Sequence, residues 1–96
     1  MKNSPDAYGP KTGGADTLVR DAYESMVYAP SEAGKIADKM QTVADKWTVG
    51  KGVTEAAGKK YAADARFAMA RHSQRLAQSH PKAWAKAQDN LRKHFS

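Results

Sequence analysis

The chain contains no cysteine among its 96 residues. This absence excludes disulfide bonds, thiol catalysis and metal sites built on thiolates. The chain also has no run approaching the ~18 consecutive apolar residues of a membrane-spanning helix. No stretch near Met1 has the pattern of a secretory signal. We therefore expect a soluble protein with no membrane span, intracellular (cytoplasmic) or part of an assembly made there.

Large aliphatic side chains and phenylalanine are scarce. Leu, Ile, Val and Phe together account for 11 of the 96 residues. Compositions below roughly 20% in these types, combined with high net charge, tend towards disorder. A domain of this size also buries only a modest share of its surface. The composition predicts a fold of marginal stability that relies on a protein partner or on self-association.

Helical spacing of apolar residues dominates the chain after an N-terminal arm. Residues 1–15 contain two prolines, three glycines and no periodicity, with Tyr8 as the sole sizeable anchor, which predicts a flexible arm. Residues 16–96 are expected to form one helical domain. Its predicted helices cover residues 16–29, 31–47, 54–79 and 81–95. The predicted fold class is all-α, a small bundle of about four helices with a flexible N-terminal arm.

The helix predicted at 54–79 organises the other elements. Thr54 is its expected N-cap, and Glu55 and Lys59 stand in the favourable order for an ion pair. At 100° per residue, one arc of this helix is thin and apolar. That arc contains Ala57, Tyr61, Ala65, Ala68, Met69, His72 and Leu76. The opposite side is basic and carries Phe67, whose ring we expect to pack against protein or to stack on a nucleic-acid base.

The other helices have their own expected caps and apolar sides. Asp16 or Thr17 is the expected cap of the first helix, and Ser31 that of the second. The second helix has a packing seam at Ala33, Ile36, Ala37, Met40, Val43, Ala44 and Trp47. The last helix is expected to begin at Pro81. Its predicted apolar side contains Trp84, Ala87, Leu91 and Phe95.

Positive charge is concentrated in the second half of the chain. Residues 1–50 contain six Lys and Arg against seven Asp and Glu, whereas residues 51–96 contain ten against three. Such asymmetry is typical of surfaces that contact nucleic acid, an anionic membrane or an acidic protein. An apolar helix face made mostly of alanine would insert only weakly into a membrane. The residues predicted to bind nucleic acid or a partner are Lys51, Lys59, Lys60, Phe67, Arg71, Arg75, Lys82, Lys86, Arg92 and Lys93. A plain solvated surface is the alternative interpretation of the basic face.

Motifs that would indicate an enzyme are weak. Five residues, not four, separate Gly52 from Gly58, and Lys60 stands where a P-loop needs Ser or Thr for Mg²⁺. The three histidines have neither i,i+4 pairing nor acidic neighbours at ligand spacing; they are His72, His80 and His94. His72 lies on the apolar arc, where a hydrogen-bonded core histidine is expected. We therefore expect no enzymatic activity, no cofactor and no metal site.

Two functions fit these features. The first is a small helical accessory protein whose basic C-terminal half binds nucleic acid or a nucleoprotein complex non-specifically, since phosphate contacts carry no sequence information. The second is a structural or inhibitory subunit of a larger protein assembly, for example a virion or a multi-subunit complex. In that case the N-terminal arm and the alanine-rich helix seams would hold it in place.

Overall fold

The structure, a computed structural model, describes residues 5–10 and 13–96. Four α-helices account for most of them: α1 (Gly14–Tyr28), α2 (Ala33–Thr48), α3 (Glu55–Ser79) and α4 (Pro81–His94). Two short 3₁₀ helices, Pro5–Tyr8 and Pro30–Glu32, precede α1 and α2. The predicted all-α bundle of four helices is therefore confirmed. The part of the predicted arm at residues 1–4, 11 and 12 lies outside the described residues.

The longest helix, α3, contacts all three of the others. Thr54 caps it as predicted, because its hydroxyl accepts a 3.1 Å hydrogen bond from the amide of Ala57. Five of the seven residues of the predicted apolar arc are buried: Tyr61, Ala65, Ala68, His72 and Leu76. Met69 is half-buried and Ala57 is exposed. The arc packs against α1 and α2 and, at Leu76, against α4, so the opposite side of α3 faces outwards.

The bundle has two apolar clusters that lie at opposite ends of α3. The first cluster joins the start of α1, the end of α2 and the first half of α3, and is centred on Tyr8, Leu18, Val19, Val43, Tyr61 and Ala65. The second joins the end of α1, the start of α2, the end of α3 and α4. It contains Met26, Val27, Ala33, Leu76, Trp84 and Ala87. Consequently α4 covers only the C-terminal end of α3.

Tyr8 anchors the described part of the N-terminal arm. Its side chain is fully buried, and its hydroxyl donates to Oδ2 of Asp21 at 3.0 Å. Gly14 lets the arm pass close to α1, since a side chain at position 14 would overlap the backbone carbonyls of Tyr8 and Gly9. The amide of Gly14 instead donates to the Gly9 carbonyl at 3.1 Å.

Two predicted helix caps are wrong. The first helix begins at Gly14, and its N-cap is Gly13 in the left-handed conformation (φ 69°), without a side-chain hydrogen bond. Asp16 lies inside the first turn and bonds to α3 instead. The Pro30–Glu32 turn takes Ser31 out of the capping position, so α2 begins only at Ala33.

A side chain from another helix accepts a hydrogen bond from a backbone amide at the start of α2. The amide of Gly34 donates to Oδ1 of Asn90, a residue of α4, at 2.9 Å. Position 34 must also be small, because a β-carbon there would overlap the ring of His94. The helix α4 stops at His94 and leaves Phe95 60% exposed, so the expectation that Phe95 belongs to the packed side is wrong.

Candidate nucleic-acid interface

The first lysines of α3 form ion pairs within the helix. Lys59 lies 3.0 Å from Glu55, as the sequence predicts, and Lys60 lies 2.7 Å from Asp64. All four side chains are more than half exposed. Exposed pairs at this spacing contribute only about 0.3–0.5 kcal/mol each. Their main effect is that each lysine already has a carboxylate beside it.

The two arginines predicted for phosphate contact bind α1. Arg71 lies 3.0 Å from Oδ1 of Asp16, and Arg75 lies 2.9 Å from Oε2 of Glu24. These partners are 55 and 51 residues away in the sequence. This pairing could not be predicted from the sequence, because Asp16 has the pattern of a helix cap and no local spacing links Glu24 to Arg75. Both arginines therefore join α3 to α1.

His72 lies between these two ion pairs and is 4% exposed. Its Nδ1 accepts from Nε of Arg75 at 3.3 Å, and its Nε2 lies 3.0 Å from Oδ1 of Asp16. An arginine can only donate, so Nδ1 carries no proton and Nε2–H is the donor to Asp16. The prediction of a hydrogen-bonded core histidine is confirmed.

Lys60, Phe67 and Arg71 line one open groove of about 510 Å³ beside the start of α1. The carboxylates of Asp16 and Asp64 line it as well and balance the two cations. Phe67 is 70% exposed and belongs to neither apolar cluster of the described residues. Contact of its ring with a partner remains a prediction.

The exposed side of α4 differs, because its cations outnumber its carboxylates. We call the set Lys82, Lys86, Arg92 and Lys93 the α4 basic stripe. Within the described residues, Lys82 and Lys86 have no ion-pair partner. Arg92 and Lys93 share the single carboxylate of Asp89, each at 3.0 Å.

The spacing of these residues sets the geometry of the stripe. Positions 82, 86 and 93 fall on one side of the helix, and Arg92 lies next to them. Hydrogen bonds from Lys93 and Arg92 lower the pKa of Asp89 from its usual value. Asp89 is therefore charged at neutral pH. The four cations of the stripe and this one carboxylate together have a net charge of +3.

Three further cations are exposed without an ion-pair partner in the described part of the chain: Lys39 on α2, Lys51 and Arg66. Lys51 lies in the connection between α2 and α3, about 36 Å from α4 if measured along the 25 residues of α3. Arg66 was not among the predicted residues. One signal could have identified it: positions 62, 63, 69 and 70, its neighbours on the helix surface, contain no acidic residue.

Comparisons with models of known protein families, with curated proteins and with solved structures found no match. In the described ranges, no group of three His, Asp or Glu side chains is arranged to hold a metal ion. No helix there is both long enough and apolar enough to cross a bilayer. Inferences about function therefore rest on the chemistry of the exposed surfaces.

Proposed function

We propose that this protein is a small, non-enzymatic helical accessory protein that binds nucleic acid through the α4 basic stripe. The observation that carries this proposal is the imbalance of charge on one helix surface. Lys82, Lys86, Arg92 and Lys93 have a single carboxylate among them, that of Asp89. Lysine and arginine contacts to phosphates release condensed counterions, which is a source of affinity without sequence selection.

The rest of the basic half has a smaller part in this proposal. Lys59, Lys60, Arg71 and Arg75 each have a carboxylate within 3.0 Å. A phosphate must compete with that carboxylate, so fewer counterions are released per contact. A structural role for His72, which is bonded at both ring nitrogens, supports the non-enzymatic part of the proposal. We place the protein inside the cell, where its proposed partner is found.

The test is fluorescence anisotropy of labelled duplex and single-stranded oligonucleotides, titrated with the protein at low and at near-physiological salt. The proposal predicts binding at low salt that weakens steeply as salt rises. Absence of binding to both oligonucleotides at low salt would contradict it.

A structural subunit of a larger assembly is the second candidate. The observation that favours it is Phe67, a large apolar side chain that is 70% exposed in the middle of the longest helix. A ring in that position gains most from contact with another protein.

A further inference from the structure

The outward side of α3 has the spacing of a helix-packing seam. Seven exposed positions follow it at alternating steps of four and three residues: Ala56, Lys60, Ala63, Phe67, Ala70, Gln74 and Ala77. This is the heptad spacing that keeps one stripe of a helix against another helix. The stripe spans three heptads, about 31 Å of helix. All four alanines and Phe67 are exposed, so nothing in the described chain covers it.

Phe67 distinguishes this face from an ordinary solvated alanine surface. It is the thirteenth of the 25 residues of α3, so its ring projects from the midpoint of the seam. Alanines on either side allow a second helix to approach to about 8 Å, at the close end of interhelical distances. Lys60, the one cation in the seam, is bonded to Asp64. The shape therefore fits a helix that receives Phe67 between its own side chains.

The charges that border the seam indicate which kind of helix would bind there. Lys59 and Arg66 lie along one border, and Asp64 and Arg71 along the other. Each of these except Arg66 has an oppositely charged partner within 3.0 Å. A second copy of this chain, paired about a two-fold axis at Phe67, would bring two Arg66 side chains together without a carboxylate. A helix with carboxylates along its flanks would pair with Arg66 instead.

We propose that the outward face of α3 is a docking surface for a helix of another protein, one with small apolar residues in its seam and acidic residues on its flanks. This proposal does not depend on nucleic-acid binding, because its residues are separate from the α4 basic stripe. Phe67 provides the apolar contact and Arg66 provides the selection by charge.

The probe is a fluorescein-labelled synthetic peptide of four heptads, with Ala and Leu in its seam and Glu on both flanks. Like charges on the flanks keep the peptide from pairing with itself. A second peptide, the basic control, has Lys in place of every Glu. We expect the acidic peptide to bind in an anisotropy titration and the basic peptide not to bind. Phe67→Ala and Arg66→Glu should each weaken the binding of the acidic peptide at least tenfold.

Phe95→Ala is the matched control, since Phe95 is 60% exposed but lies outside the seam. It should bind the acidic peptide like the unaltered protein. Sedimentation of the protein alone tests whether a second copy of the chain occupies the seam. Competition by an oligonucleotide tests whether nucleic acid occupies it. The proposal is overturned if the acidic peptide does not bind, or if Phe67→Ala and Phe95→Ala reduce the affinity for the acidic peptide equally. It is also overturned if the protein forms a dimer that Phe67→Ala dissociates, or if the oligonucleotide displaces the peptide from the seam.

Discussion

The hydroxyl of Tyr61 donates a 2.7 Å hydrogen bond to the backbone carbonyl of Tyr8, which lies 53 residues earlier in the chain. Both side chains are buried, and burial raises the pKa of Tyr61 to about 12. The described part of the N-terminal arm is therefore held to the central helix by a phenol that must keep its proton.

This bond predicts a loss of stability at high pH. Because the pKa of Tyr61 is higher in the folded protein than its ordinary value of 10.0, its contribution is complete below pH 10 and is lost as pH rises towards 12. We expect Tyr61→Phe to lower the free energy of unfolding at pH 7 by about 1–3 kcal/mol. The variant should also lose less stability than the unaltered protein between pH 10 and pH 12.

Urea unfolding over a pH series measures both effects. Tyr28→Phe is the control, because the side chain of Tyr28 is 85% exposed. Parallel pH profiles for the unaltered protein and Tyr61→Phe would contradict the assignment.

Asp16 should contribute more to stability than an exposed carboxylate. Asp16→Ala leaves the buried Nε2–H of His72 without its acceptor, which predicts a loss of about 1–3 kcal/mol in the free energy of unfolding. Asp38→Ala is the matched control. Its partner His94 has a side chain that is 35% exposed, against 5% for His72, so we expect a loss below about 1 kcal/mol. Equal losses in denaturant unfolding would show that the buried pair has no special role.

The bond between Asn90 and Gly34 is a helix cap supplied by another helix. Asn90→Ala should cost about 1 kcal/mol, the usual effect of losing a cap, and should speed hydrogen exchange at the amide of Gly34. Gln88→Ala, on the same helix, is the control. Unchanged protection of the Gly34 amide in Asn90→Ala would disprove the cap.

Removing the one carboxylate of the α4 basic stripe should strengthen nucleic-acid binding. Asp89→Asn frees Arg92 and Lys93, and each additional phosphate contact steepens the salt dependence of duplex binding by about 0.9 in logarithmic slope. Asp45→Asn makes the same change of charge on α2 and is the control. An equal gain in both variants would mean that net charge alone, and not the stripe, sets the affinity.

Much of the fold could be predicted from the sequence, because it follows from local spacing. Apolar residues at helical intervals placed Tyr61, Ala68 and Leu76 in the core, and Thr54 at a helix start. Contacts between distant residues could not be predicted in this way. Asp16 has the sequence pattern of a cap, and only the packing of α1 on α3 brings it to His72.

The same limit applies to the candidate site. The sequence shows that the second half of the chain is basic, but it does not show which cations are neutralised by the first half. Glu24, for example, reaches Arg75 only because the two helices pack side by side. That packing is what distinguishes Arg71 and Arg75 from Lys82 and Lys86.

The most direct test of the central claim compares two double variants by the salt dependence of their binding to duplex DNA. If Lys82 and Lys86 contact phosphates, Lys82→Gln with Lys86→Gln should reduce the logarithmic salt slope by about 1.8. Lys59→Gln with Lys60→Gln removes the same charge from two lysines that already have carboxylate partners, and should leave the slope nearly unchanged. Equal reductions in both variants, or no reduction in the first, would contradict the account.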